Sequence, residues 1–305
     1  MFRRSSQARP VSRGAIGVAM ATVGAVIFGV SATVVASIID DIDPFRLSSL
    51  RIAVAGLLLL PWAIVHRDAI RRAPILVGLV GVLQIVLNAG LYVAIDRIGV
   101  GPAVGLEFLA PILVVTWDRV VGHAHPRPLT WAAVGSAVAG VALLVQIGDL
   151  DTLDMVGVLG GLTAAIGLAV YLRLSEHVGG IVGGFPLAAG AITIGGFVGF
   201  FVARPWAMSI PSDPVMIWSV IILGTVGLAI PLSMEIAALS RVPARIIGVI
   251  ITIEPVAAAV TAWMFLDQML GTSQIVGLIL IVIAVGAVSL TTSSGRVDPV
   301  VVSER

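Results

Sequence analysis

The stretch RIGVGPAVGLEFLAP at residues 97–111 and the stretch RVPARIIGVIITIEP at residues 241–255 share one layout. Each begins with arginine, ends with proline and carries one glutamate, and the arginines and prolines match at an offset of 144 residues. A second match, PFRL at 44–47 with GFPL at 184–187, has an offset of 140 residues. Such internal similarity indicates a duplicated chain, although apolar segments of low complexity also align by chance.

The composition around these stretches is that of a membrane protein. Of the 305 residues, 58% are hydrophobic and 11% are charged, whereas a soluble domain has about 25% charged residues. The mean hydropathy of +1.11 leaves too little polar surface for a water-soluble globule. The chain has no cysteine, which excludes disulfides, Cys-ligated metals and thiol nucleophiles.

The length of the apolar stretches sets the number of membrane spans. A helix needs about 20 apolar residues to cross a bilayer, and ten stretches have roughly this length. We therefore predict an all-α polytopic membrane protein with ten transmembrane helices and no extramembrane domain between them. The predicted spans are residues 14–37, 45–65, 75–95, 101–118, 129–148, 155–174, 181–203, 215–238, 245–266 and 273–292.

The duplication divides these spans into two repeats of five helices. The first repeat is predicted at residues 14–148 and the second at 155–292, with tails at 1–13 and 293–305. Because five is odd, the second repeat must enter the membrane from the opposite side. Inverted repeats of this kind are typical of secondary transporters, whose substrate site lies near the midplane between the repeats.

The arginines predict the orientation of the chain. With the amino terminus in the cytoplasm, 14 of the 18 arginines lie in inner segments, 3 lie in outer segments, and Arg51 lies inside the second span. Basic residues favour the cytoplasmic side, so both termini are expected there. The first apolar run is longer than the 7–15 residues of a signal-peptide core, and we interpret it as the first retained helix.

Several motifs resemble the drug/metabolite transporter superfamily and its EamA-type repeat. They are GLEFLAP at 105–111, PLSMEIAALSRVP at 231–243 and EP at 254–255, and they are most similar to the subgroup of bacterial inner-membrane threonine/homoserine exporters. The resemblance covers nearly the whole chain. It departs in the first span, where AVIFG at 25–29 replaces the tryptophan-glycine pair of many relatives. It implies a cavity between the repeats that opens alternately to either side of a bacterial plasma membrane.

Three glutamates inside predicted spans are the first candidates for substrate and proton binding. An ionised acid at the bilayer centre costs about 3 kcal/mol, so Glu254, Glu107 and Glu235 each need a partner, a proton or a wet cavity. Glu107 lies one turn outward of Ala110, the repeat counterpart of Glu254, so both acids should approach one region. Each acid can bind a proton or a substrate ammonium group. A packing ion pair or hydrogen bond is the alternative for all three.

Two further side chains have two interpretations each. Arg51 holds a substrate carboxylate, or its side chain snorkels outward to the interface or to Asp43. Tyr171, placed near the inner end of the sixth span, lines the cavity or anchors the helix at the membrane interface.

The third span carries a polar stripe. Gln84, Asn88 and Tyr92 recur at every fourth residue, so they lie on one face of a helix. This stripe contacts the substrate or makes hydrogen bonds between helices.

Two prolines occupy equivalent positions in the repeats. Pro111 and Pro255 fall inside the fourth and ninth predicted spans, where proline removes a backbone hydrogen bond and kinks the helix. We predict that they act as helix kinks or gates beside the cavity.

These features together predict a secondary transporter and not an enzyme. We expect export of small polar metabolites, above all amino acids such as threonine or homoserine, by alternating access coupled to proton antiport. The chain has no ATP-binding G-x-x-x-x-G-K-[ST] loop. A small substrate, protons and lipid are the expected partners, without cofactor, metal or nucleic acid. The alternative is an exporter of drugs or hydrophobic amines in the same superfamily and, more remotely, a non-transporting scaffold or a lipid-modifying enzyme.

Overall fold

The computed structural model describes residues 13–110, 112–114, 117, 128–144, 154–204, 214–239, 250–251 and 253–292. Besides a 3-10 turn at Ile39–Asp41 and a four-residue helix at Arg67–Ile70, these residues form ten longer helical segments and, in the ranges just given, no strand, as predicted. The segments are α1 (Arg13–Ala36), α2 (Pro44–Val65), α3 (Pro74–Ile98), α4 (Val100–Glu107), α5 (Pro128–Leu144), α6 (Met155–Val182), α7 (Gly184–Ala203), α8 (Pro214–Gly224 and Ile230–Leu239, joined by a π-helical turn at Thr225–Ala229), α9 (Ile253–Leu266) and α10 (Thr272–Thr292).

The length and composition of the helices fit a bilayer. Six of the described helices are long and apolar enough to cross a membrane, and four more are apolar but shorter, at 10–17 residues. Large apolar side chains such as Leu57, Val65, Ile75 and Phe197 are exposed on the outside of the bundle. The prediction of a polytopic all-helical membrane protein is therefore confirmed.

Two single glycines join consecutive helices. Gly99 links α3 to α4 with φ of 79°, and Gly183 links α6 to α7 with φ of 91°, a region that favours glycine because it has no Cβ. Since the link after α6 is so short, this helix runs to Val182, eight residues beyond its predicted end. The added turns carry polar residues, and Glu176 among them forms an ion pair with Arg173 at 2.9 Å.

The packing of the helices follows an inverted two-fold arrangement. Three contacts join a helix to its own repeat counterpart: α2 packs on α7, α4 on α9 and α5 on α10. Two further contacts are equivalent when the repeats are exchanged. α3 packs on α6, and their repeat counterparts α8 and α1 pack on each other in the same way. This pattern is expected when five helices are repeated with the opposite membrane orientation.

Glycines allow the central helices to approach closely. A Cβ on Gly81 of α3 would lie 2.2 Å from the Ala191 carbonyl oxygen of α7, and a Cβ on Gly90 would lie 2.7 Å from the Gly160 carbonyl oxygen of α6. Such distances are shorter than any real van der Waals contact. Small residues at these crossings hold α3 against both helices, as in other membrane bundles.

The described parts of the fourth and ninth spans each contain an interruption, a turn at residues 108–109 and a turn at Ile251. α4 ends at Glu107, and the next bonds shorten to a three-residue spacing, with Leu109 N donating to Leu106 O at 3.0 Å. In the ninth span Ile251 lies in a turn, α9 covers Ile253–Leu266, and Glu254 N donates to Ile251 O at 3.0 Å. The two interruptions are equivalent, because Glu107 and Ile251 are 144 residues apart.

The prolines explain where these interruptions lie. A proline ring clashes with the carbonyl four residues earlier in a helix, and Pro111 and Pro255 follow Glu107 and Ile251 by four residues. Pro255 is the third residue of α9, a place in the first turn where proline is tolerated. Its role as a kink or gate stays a prediction. Pro111 itself lies outside the described residues.

Candidate functional site

Arg51 occupies the centre of the bundle. It lies on α2 with only 4% of its surface exposed. Its Nε donates to the Leu223 carbonyl at 3.2 Å, and its Nη2 donates to the Gly227 carbonyl at 2.5 Å. Both acceptors belong to α8, at and just before the π-helical turn. The side chain therefore points inward, away from the interface and from Asp43, whose carboxylate caps α2 at Arg46 N.

The polar stripe of α3 meets Arg51 on its other side. Arg51 Nη1 donates to Asn88 Oδ1 at 3.2 Å and to the Tyr92 hydroxyl. Asn88 Nδ2 in turn donates to the Gln84 carbonyl at 2.7 Å. All three stripe residues are buried, so the stripe faces the interior and takes part in interhelical hydrogen bonding. Whether it also contacts substrate stays a prediction.

Two of the predicted acids lie at the interrupted helices. Glu107 is the last residue of α4 and is 7% exposed, and Glu254 is the second residue of α9 and is partly buried. Glu254 lies within electrostatic reach of Glu107 and of Arg51, and Glu107 lies within reach of Arg51 and Tyr92. The first repeat thus supplies Arg51 and Glu107, and the second repeat supplies Glu254.

Glu235 and Tyr171 extend the group of polar residues in one direction. Glu235 lies on α8, is partly buried and interacts electrostatically with Glu254 and Tyr171. Tyr171 lies beside Gln84, and because α6 is longer than expected, it lies eleven residues from the helix end instead of near it. The polar groups therefore continue from Arg51 through the α3 stripe to Tyr171 and Glu235.

The charges of this site are unequal in number. There are three carboxylates and one guanidinium: Glu107 and Glu254 lie within electrostatic reach of Arg51, and Glu235 lies within reach of Glu254. Within the described ranges, none of the three carboxylates accepts a hydrogen bond or forms an ion pair within 4.0 Å. Arg51 is held by neutral acceptors only. The site therefore offers carboxylate oxygens to a proton or to a positively charged ligand.

The sequence did not point to Ser31 or to the carbonyls of α8. Ser31 is 4% exposed, and its Oγ has no hydrogen-bond partner among the described residues. It lies against Gly227, where a Cβ would be 2.7 Å from the Ser31 Oγ. A single serine in α1 has no periodic partner, and a π-helical turn has no sequence signature of its own, so neither was predictable.

A surface groove lies apart from these residues. It has a volume of about 320 Å³ and lies between α2, the short turn at Arg67–Ile70, and α7. Its lining residues are Ala63, Ile64, Arg67, Ile70, Arg71, Gly190, Thr193 and Ile194. None of the three carboxylates lines it, so the groove is separate from the candidate site.

Comparison with known proteins shows that the chain is similar to transporters. The EamA-like transporter family matches residues 15–146 and again residues 155–290. The chain is similar to the threonine/homoserine exporter RhtA of Salmonella typhimurium strain SL1344, at 28% identity over 80% of this chain and 81% of that protein. RhtA of Escherichia coli strain K12 is 29% identical over the same shares. A protein of known crystal structure has a TM-score of 0.61 at 16% identity, covering 92% of this chain and 98% of that one, and supports the fold.

Proposed function

Because the chain belongs to the EamA-like transporter family, we propose that it is a secondary exporter of small polar metabolites, with amino acids of the threonine and homoserine type as substrates. The named function of the two RhtA relatives supports this substrate class. In this proposal the protein lies in a bacterial inner membrane with both termini in the cytoplasm, as the arginine distribution predicts. Protons entering the cell drive the export.

The observation that carries this proposal is the charged group between the repeats. Glu107 and Glu254 come from the two interrupted spans, and Arg51 lies within electrostatic reach of both. Transporters with inverted repeats place their sites at discontinuous helices near the repeat interface. Acids inside a membrane are rare and commonly carry protons. Substrate and proton binding at one shared site follows from these two features.

Antiport follows if proton and substrate compete for the same carboxylates. A glutamate that holds a proton has lost the charge that attracts an ammonium group, so the two ligands exclude one another. The site opens to the cytoplasm to exchange protons for substrate and then to the outside for the reverse exchange. Pro255, Pro111 and the interruptions beside them would supply the gates, and Glu235 with Tyr171 would lie on the inner path.

Transport into everted vesicles tests the proton coupling. Vesicles with an acidic interior should accumulate labelled threonine, because protons leave as substrate enters. Glu254→Gln removes the titratable group while keeping the size of the side chain, and it should abolish the accumulation. Glu176→Gln is the matched control, since Glu176 is exposed on α6. Full accumulation by the Glu254 variant would disprove its coupling role.

Export of drugs or hydrophobic amines is the second candidate function. The excess of carboxylates over cations at the site favours it, because such compounds carry a positive charge and no carboxylate. Survival assays separate the two functions. Cells lacking an amino-acid exporter should become sensitive to toxic amino-acid analogues, whereas cells lacking an amine exporter should become sensitive to cationic drugs.

A further inference from the structure

The hydrogen bonds of Arg51 leave it little capacity for a ligand. A guanidinium has five N–H donors, and four hydrogen bonds from Arg51 reach Leu223, Gly227, Asn88 and Tyr92. These acceptors lie on two different helices, α8 and α3, and both terminal nitrogens are used. Bidentate binding of a carboxylate needs two parallel N–H groups on one edge of the guanidinium. Arg51 therefore has no free edge to offer to the carboxylate of an amino acid.

The carboxylates of the site differ from Arg51 because their oxygens are not engaged in hydrogen bonds within the described part of the chain. Glu107 and Glu254 interact with one another and with Arg51 through space, yet in the described part of the chain no donor is bonded to either. Glu107 lies at the end of α4, and Glu254 lies at the start of α9. An ammonium group has three donors, so it can donate to a carboxylate of this pair and keep donors for further acceptors.

From this difference we propose that the site recognises its substrate through the ammonium group and does not read the carboxylate. The proposal rests on the proposed function, since it concerns the ligand of the same site. It assigns Glu254 and Glu107 as the ammonium acceptors and Arg51 as a positioning residue that holds α3 and α8 in place. The substrate class is then small polar primary amines, which includes amino acids and their carboxyl-blocked derivatives.

Matched derivatives of one amino acid test this inference. The purified full-length protein is heated in detergent with threonine, threonine amide or N-acetyl-threonine. A ligand that binds only the folded protein raises the melting temperature. Threonine and threonine amide should both raise it, because both carry the ammonium group. N-acetyl-threonine keeps the carboxylate but has no ammonium group, and it should leave the melting temperature unchanged.

Variants identify the acceptors in the same assay. Glu254→Gln and Glu107→Gln should each reduce the shift with threonine and with threonine amide alike. Glu176→Gln should keep both shifts in full, because this carboxylate is exposed and paired with Arg173.

Two results would overturn the inference. In the first, N-acetyl-threonine stabilises the protein and threonine amide does not, which would make Arg51 the carboxylate receptor. In the second, neither threonine nor threonine amide raises the melting temperature, which would show that the site does not bind an ammonium group. Failure of the exporter hypothesis looks different: the amines bind, but vesicles accumulate none of them under a proton gradient.

Discussion

Arg51 is a buried cation whose nearest partners are neutral. Burying a charge is costly unless hydrogen bonds compensate it, and here carbonyl, amide and hydroxyl oxygens do so from two helices. The Tyr92 ring adds a further contact, with its centroid 5.8 Å from the guanidinium carbon. The planar fork of arginine is what allows one side chain to reach acceptors on both α3 and α8.

Replacement of the planar guanidinium of Arg51 by the ammonium group of lysine should destabilise the protein. Arg51→Lys keeps the positive charge but cannot bond to Leu223, Gly227 and Asn88 together. We expect the free energy of unfolding to fall by about 1–3 kcal/mol, because buried acceptors lose a charged donor. Thermal unfolding in detergent measures the change. Arg46→Lys on the exposed start of the same helix is the control and should be unchanged within about 0.5 kcal/mol; equal stability of both variants would contradict this account.

The positions of polar residues were partly predictable from the sequence. The four-residue spacing of Gln84, Asn88 and Tyr92 placed them correctly on one inward face, because helical periodicity depends only on local geometry. The direction of the Arg51 side chain was not predictable, since it depends on carbonyls that a distant π-helical turn presents. Long-range contacts of this kind leave no trace in local spacing.

At the scale of helices, close crossings hold α3 in the middle of the bundle. α3 contacts α7 at Gly81 and α6 at Gly90, so it is fixed on two sides. The same helix carries the polar stripe that bonds to Arg51. The rigidity of the stripe therefore depends on glycines that have no polar role of their own.

A methyl group at one of these crossings should separate the helices. The Cβ of Gly81→Ala would lie 2.2 Å from the Ala191 carbonyl and 2.8 Å from Gly195 N, and neither backbone group can move alone. We expect a loss of about 1–3 kcal/mol in unfolding free energy. Gly180→Ala, which meets nothing within 4 Å, is the control and should be neutral or stabilising by up to about 1 kcal/mol. Similar melting temperatures for both variants would count against this role of Gly81.

The helix boundaries show where sequence reasoning works and where it fails. The predicted starts at residues 45, 75 and 155 lie within one residue of the observed starts of α2, α3 and α6. Proline or a capping aspartate stands at each of these starts, and such start signals are local. The predicted end of the sixth span at residue 174 is eight residues too early, because Glu176 and His177 are polar and yet belong to α6, where Glu176 pairs with Arg173. The sequence predicts kinks at Pro111 and Pro255, whereas the described turns lie before these prolines, at residues 108–109 and at Ile251, because a proline ring clashes with the carbonyl four residues earlier.

The whole molecule was the most predictable level. Two matched stretches, 144 residues apart, were enough to indicate the duplication, and the transporter family matches the chain in two copies. The family resemblance drawn from GLEFLAP and the neighbouring motifs is thereby confirmed. The substrate and the coupling ion are less predictable than the fold. A few side chains determine them, whereas many relatives with other substrates share the same fold.

Motion between the repeats should be stoppable by one cross-link. Thr33 of α1 and Thr261 of α9 come from different repeats, and their hydroxyl oxygens are 2.6 Å apart. Since the chain has no cysteine, Thr33→Cys with Thr261→Cys forms a single possible disulfide. Oxidation should abolish vesicle transport, and a reductant should restore it, because alternating access requires the repeats to move. The two single variants are the controls, and full transport by the oxidised protein would refute this motion.

The two halves are not equal where Arg51 lies. At the offset of 140 residues its counterpart is Ala191, and the π-helical turn that supplies acceptors to Arg51 lies in α8, whereas the matching helix α3 is regular. In a perfectly symmetric pair, inward-open and outward-open forms would have the same energy. In the proposed alternating-access cycle, the bonds of Arg51 would therefore favour one of these forms over the other. A single side chain would then bias which face of the membrane the idle protein opens to.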